Sequence, residues 1–291
     1  MNLGKALSPS ALLGVYTLAL LAANVPLLKE LFVFARDNET ASHVLVVPLV
    51  TLVLLFQDRA AILSARQRNG WAGLAVIASG LTILLIGRGS ESLRSGDALS
   101  IAMAGLVLMW VGGFLFTFGW RSARAALFPL FFLIFAVPPP DSLVVAATDF
   151  LKRGSTETVA ALFALTGTPV HREGFVFSLP SFVIEVADEC SGIRSSIALM
   201  LTGLLACHTF LRKGWSKAIL ILAVLPIAVL KNGIRIVSLT LLAIHVDPSF
   251  LVGQLHHEGG VVFFLMALAM MAPLLPLLRK LEAVRVETPR V

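Results

Sequence analysis

The stretch Val186-Ala187-Asp188-Glu189-Cys190-Ser191-Gly192-Ile193-Arg194 marks the point where a polar, acidic loop gives way to the apolar run Ile193–Leu211. A run of that length as a helix crosses about 30 Å of hydrocarbon. Seven more runs of this kind flank it, at Ala11–Leu28, His43–Phe56, Trp71–Gly87, Ala98–Gly119, Ala125–Val137, Ala218–Ile244 and Gly259–Leu278. The pattern predicts an all-α polytopic membrane protein of about eight transmembrane helices, with one integral-membrane domain over residues 1–291. The second and fifth runs are short and are expected to tilt little or to be shielded by neighbours.

Composition agrees. Of 291 residues, 57% are hydrophobic and 14% charged, where a soluble domain would carry about 25% charged. Mean hydropathy is +0.90. The net charge of +6 does not imply nucleic acid, because the basic residues fall in short loops and act as a topology signal. One set of loops and termini holds Lys5, Arg59, Arg66, Arg68, Arg121, Arg124, Arg212, Lys213, Lys217, Arg279, Lys280, Arg285 and Arg290 against the acids Asp58, Glu282 and Glu287. The opposite set holds Lys29, Arg36, Arg88, Arg94, Lys152, Arg153 and Arg172 with the other 14 acids. Positive-inside reasoning therefore places both termini in the cytoplasm and Cys190 on the extracytoplasmic face of the cell membrane. The first run lacks a small-residue cleavage site and reads as a retained helix.

The longest stretch between spans, Pro138–Glu189, falls on that outer side. Pro138-Pro139-Pro140 ends the fifth run. Asp141–Gly167 reads as a helix with Asp149, Lys152, Arg153 and Glu157 on one side, lying at the interface or dipping into the bundle. Gly174–Val186 alternates Phe and Val around Leu179-Pro180-Ser181, which predicts a small extracytoplasmic β-hairpin leading into the Cys190 helix.

Three polar features then meet on one face. Cys190 is placed at a helix start, where the dipole favours thiolate. Arg194 lies four residues on, on the same helical face, while Asp188 and Glu189 oppose that charge unless they turn to Arg194 or to solvent. Cys207, deep in the same run, reads as an inert core thiol. A disulfide between the two is excluded, since seventeen residues of helix separate them by about 25 Å. Asn232-Gly233-Ile234-Arg235 interrupts the seventh run. A charge there costs at least about 2.5–3.5 kcal/mol and marks a bundle interior or an aqueous cavity. Arg235 reads either as an ion-pair partner of an acid such as Glu185 or Asp188, or as a guanidinium beside a thiolate and an oxyanion. His256-His257-Glu258-Gly259-Gly260 opens the eighth run. Adjacent histidines point about 100° apart on a helix, so acid–base work fits them better than metal binding. His43, beside Ser42, adds a further polar group on the same side.

These residues resemble the exosortase/archaeosortase family of membrane cysteine transpeptidases. The likeness rests on Cys190-Ser191-Gly192-Ile193-Arg194, on Asn232-x-x-Arg235 and on His256/His257 before Gly260. Ser42-His43 with Pro48, and Phe135–Pro140, extend it over roughly residues 42–264. The resemblance implies Cys190 as nucleophile forming an acyl-thioester, Arg235 as proton donor and His256 (alternative His257) as transition-state stabiliser. Chemistry alone reverses the last two roles, because a guanidinium with a pKa above 12 holds its proton. Arg194, Asn232 and His43 are supporting residues, and neither metal nor cofactor is called for. The implied substrates are exported proteins with C-terminal tripartite, PEP-CTERM-like sorting tails, and the implied acceptor is a lipid or glycan. A membrane transporter using Arg235 and the histidines as a relay, or a noncatalytic assembly protein for exopolysaccharide export, are the alternatives.

Overall fold

A computed structural model describes residues 8–65, 70–90, 95–251 and 260–284. Among the described residues it is all-α apart from one small sheet, and six helical stretches are long and apolar enough to cross a membrane, or up to eight if each of two bent pairs forms one span. The chain divides into two compact units, Met1–Val144 and Val145–Val291.

The first unit opens with helices α1 (Pro9–Ala23) and α2 (Val25–Asp37). The first apolar run was expected to form one helix; instead it breaks at Asn24, with 75° between the two helices. Pro26 at the start of α2 removes a backbone donor. Buried Asn24 occupies the break, donating from Nδ2 to the Leu20 carbonyl (2.8 Å) and accepting from Arg88 Nη2 (3.0 Å). A 3-10 segment, Glu39–Leu45, leads into α3 (Val47–Gln57). After α4 (Arg59–Ser64) come two long helices, α5 (Gly70–Gly89) and α6 (Ser95–Phe118).

Helices α5 and α6 meet through small residues spaced one heptad apart. A Cβ on Gly80 would lie 2.7 Å from the Met109 nitrogen and 2.8 Å from the Gly105 carbonyl oxygen. Gly73 and Gly87, seven residues to either side, press on Phe116 and Ala102, while Gly105 and Gly112 reciprocate against Leu84 and Ile77. With no hydrophobic drive between helices in lipid, such close backbone approach is what holds them together. Helix α1 docks on α6 by polar contacts: Tyr16 Oη donates to the Met109 carbonyl (2.8 Å) and Trp110 Nε1 to Thr17 Oγ1 (2.9 Å).

Short helices α7 (Trp120–Ala125) and α8 (Leu127–Phe132) follow, the latter extended by a 3-10 turn at Leu133–Ala136. The fifth expected span, Ala125–Val137, thus reduces to ten ordered helical residues. At about 1.5 Å per residue they do not cross the hydrocarbon unaided.

Helix α9 (Asp141–Thr166) starts where Asp97 Oδ1 accepts from the Asp141 amide (2.9 Å), and ends before Gly167 at φ +66°. From Val145 it belongs to the second unit. There the expected hairpin is a three-stranded antiparallel sheet, β1 (His171–Glu173), β2 (Val176–Ser178) and β3 (Val183–Glu185), in order β1-β2-β3. Strand β1 escapes an apolar-alternation search because all three of its residues are polar and exposed; Gly174 at φ +62° makes the turn that pairs it. Phe177 is fully buried against Phe163 of α9, with ring centroids 5.8 Å apart.

Among the described residues the remaining α-helices are α10 (Ile193–Phe210), α11 (Gly214–His245), α12 (Gly260–Met271) and α13 (Leu274–Val284). Their core joins Leu199, Cys207, Leu220, Val224, Ala228, Ala267 and Met271. Cys207 is free and buried, its thiol 3.6 Å from the Lys217 carbonyl, as an inert core position requires. At that end Glu282 accepts from the amides of Arg212 (3.1 Å) and Lys213 (2.8 Å), donors that the start of α11 leaves over.

Gly80→Leu is expected to force α5 and α6 apart at a cost of about 1–3 kcal/mol. The thermal unfolding midpoint of the detergent-purified protein should fall accordingly. Gly89→Leu, at a position with no atom within 4 Å of a new Cβ, should leave it unchanged; equal midpoints for the two variants would sink the packing argument.

Candidate functional site

The site is built on a crossing of α9 and α11. Gly233 of α11 lies so close to Thr158 of α9 that a Cβ there would stand 2.7 Å from the Thr158 Cβ. One turn below, Gly154 meets Val229. Between these contacts buried Asn232 donates from Nδ2 to Ser155 Oγ at 2.9 Å, and Ser155 is itself fully buried. This polar bridge spans 77 residues of sequence.

Onto it settles the turn that carries Cys190. The backbone of Asp188–Ser191 forms a separate 3-10 turn, and α10 begins only at Ile193. Gly192 separates the two at φ +70°, ψ 22°, a left-handed conformation that suits glycine. Cys190 therefore does not begin the spanning helix, and the expected i,i+4 relation to Arg194 does not hold. A Cβ on Gly192 would lie 2.8 Å from Asn232 Oδ1 and 3.0 Å from Lys231 Nζ. Glycine is needed there for both backbone angle and space. The Gly192 carbonyl accepts the hydroxyls of Ser195 and Ser196, each at 2.9 Å, and the Ser196 amide at 3.0 Å.

The sheet holds the other side of the turn. The Val186 amide donates to the Phe175 carbonyl at 3.0 Å, and Val186 is buried with Phe177, Val159, Phe163 and Val237. Lys152 of α9 pairs with Asp188 at 2.9 Å and lies over the Phe175 ring, 4.5 Å from its centroid. The partner of Asp188 is thus Lys152 rather than Arg194 or Arg235, and its carboxylate faces solvent, one of the two orientations expected for it. The Asp188 side chain stays 69% exposed while that of Lys152 is only 15% exposed.

Lys231, spaced i, i+4 from Arg235, was legible as a second charge in the same apolar run, but that spacing alone gave it no role in the site. It is 2% exposed and donates to Ser195 Oγ at 2.5 Å. Arg235, half-buried, stands one turn further along α11, and Arg194 is exposed at the head of α10. Ser191, fully buried, has a hydroxyl with no hydrogen-bond partner among the described residues. Ser155 and Ser195 went unread, and Lys152 was read only as a polar residue of its helix, because nothing local in the sequence links them to Cys190.

The side chains of Glu189 and Cys190 lie outside the described residues, as do His256 and His257 entirely. His43 belongs to the first unit, half-buried in the 3-10 segment before α3. A cavity of about 380 Å³ in that unit is lined by residues that include Asn38, Thr40 and Asp141, but not His43.

A family model described as transmembrane exosortase (Exosortase_EpsH) matches residues 35–273. No curated protein and no solved structure matches the chain.

Gly192→Ala is expected to strain the turn by about 1–2 kcal/mol. The opened population, and with it the rate of tryptic cleavage after exposed Arg194, should rise about 5- to 30-fold. Gly14→Ala, at an open helical position, should leave the rate unchanged. An unchanged rate in Gly192→Ala would mean that the turn does not depend on this contact.

Proposed function

We propose, for a chain that belongs to the transmembrane exosortase family, that it is a membrane cysteine transpeptidase acting on C-terminal sorting tails of exported proteins. The observation that carries this reading is the Cys190-Ser191-Gly192 turn packed through Gly192 onto Lys231 and Asn232 of α11, the helix that also carries Arg235. The Cys190-Ser191-Gly192-Ile193-Arg194 and Asn232-x-x-Arg235 motifs are thereby neighbours within one unit.

In this reading the thiolate of Cys190 attacks the carbonyl carbon of the scissile peptide bond. A C–S bond forms, and the carbonyl electron pair moves onto oxygen beside the Arg235 guanidinium. Collapse breaks the C–N bond, and His256, or His257 in its place, gives the leaving amine its proton. The acyl-thioester is then attacked by an acceptor hydroxyl or amine of a lipid or glycan carrier. The same imidazole takes that proton, the C–S bond breaks and the thiolate returns. A tail whose hydrophobic segment spans the membrane would present its outer end to the turn. That geometry requires Cys190 on the extracytoplasmic face with both termini cytoplasmic, as the loop charges predict. Arg194, Asn232 and His43 support the site, Asn232 by fixing α11 against α9.

Cys190→Ala and Cys190→Ser should abolish tail cleavage in membranes, with rates falling at least about 10³-fold. The native enzyme incubated with a candidate tail should accumulate a hydroxylamine-sensitive adduct on Cys190. Undiminished cleavage by Cys190→Ser would remove the nucleophile assignment, and transport that survives Cys190→Ala in a protein without tail cleavage would favour a transporter.

A further inference from the structure

Lys231 has no use in the chemistry above, yet its burial is expensive. Its ammonium offers three donors, and one goes to Ser195 Oγ at 2.5 Å. Among the described residues it forms no ion pair. Buried charges are as a rule paired, so an ammonium with only a neutral partner leaves a place for a negative group beside it. Among the described residues the charged groups around the Cys190 turn are Asp188 on the turn, Lys152 from α9, Arg194 at the head of α10, and Lys231 and Arg235 on α11; in sequence Glu189 also belongs to the turn. Asp188 is drawn away by Lys152 and faces solvent. Below the turn Lys231 Nζ reaches to 3.0 Å from a Cβ built on Gly192, and Gly192 lies two residues from Cys190. Two virtual bonds put their Cα atoms at most about 7.6 Å apart. The Ser191 hydroxyl, buried between these two residues in sequence, adds a second donor without an acceptor among the described residues.

We propose that Lys231 is a positioning residue for Cys190: its ammonium, tied through Ser195 to the Gly192 carbonyl, fixes the turn and supplies the buried positive charge that favours the thiolate. The relay is short and directional. Lys231 Nζ donates to Ser195 Oγ, and Ser195 Oγ donates to the Gly192 carbonyl at 2.9 Å. A flexible lysine is thereby held in one place beneath the turn. The proposal rests on Cys190 being the nucleophile.

The test is the pH dependence of Cys190 alkylation by iodoacetamide, read by mass spectrometry on the full-length protein in native membranes. Cys207→Ala serves as the parent so that one thiol reports. Lys231→Met should raise the midpoint by about one to two pH units, the size of shift that a nearby charge produces. Lys231→Arg, which keeps the charge, should restore the parent midpoint to within a few tenths. If Lys231→Met does not reach the membrane, Ser195→Ala, which releases the ammonium from the relay, should move the midpoint in the same direction. An unmoved midpoint in the inserted variant overturns the proposal. That outcome is distinct from failure of the transpeptidase reading: tail cleavage that persists in Cys190→Ala removes the nucleophile itself, whereas inactive Cys190→Ala with an unmoved midpoint removes only the role of Lys231.

Discussion

The constraint on which the second unit depends is the close approach of α11 to α9 at Gly233. Two helix backbones come together there because Gly233 and Gly154 carry no side chain, and Asn232 bonds across the gap to Ser155. In hydrocarbon an amide without a partner costs several kcal/mol, so this bond and the glycine contact reinforce each other. Moving α9 away would expose Asn232, and removing the asparagine would leave Ser155 short of a donor. The same helix register brings Lys231 under the Cys190 turn, so the crossing positions polar chemistry as well as backbone.

The turn in its place is over-determined. Gly192 meets Asn232 and Lys231 from above, Ser195 and Ser196 return their hydroxyls to its carbonyl, and Val186 is tied to the sheet through Phe175. Gly192 divides the Asp188–Ser191 turn from α10, so the thiol-bearing residue has its own local geometry rather than that of the spanning helix. One helix pair of the first unit uses the same glycine contact. The α5–α6 pair is held by glycines one heptad apart, which place the backbones in van der Waals contact where lipid offers no hydrophobic drive.

Much of this was legible in the sequence, for physical reasons. A run of 18 or more apolar residues has few alternatives to a spanning helix, so α5, α6, α10 and α11 were readable. The Asp141–Thr166 helix and the Phe- and Val-rich strands β2 and β3 followed from periodicity. Breaks were less legible. Asn24 and Pro26 sit inside a run whose hydropathy never signals a bend, and the bend is stabilised by Arg88, 64 residues away. Strand β1 carries no apolar alternation because it is an exposed edge strand. Lys152 was read as part of the polar side of its helix, yet its side chain lies over the Phe175 ring and pairs with Asp188.

By itself the sequence determined that the chain crosses the membrane repeatedly and the family to which it belongs, because transfer free energy and motif spacing are local properties. Tertiary structure alone decided that Asp188 answers Lys152, that Gly192 takes a left-handed turn against Asn232, and that Lys231 lies buried beneath the Cys190 turn. Those outcomes depend on which helix faces come within 3 Å of one another, and that is set by the absence of side chains at Gly154, Gly192 and Gly233 acting together across segments that are remote in sequence.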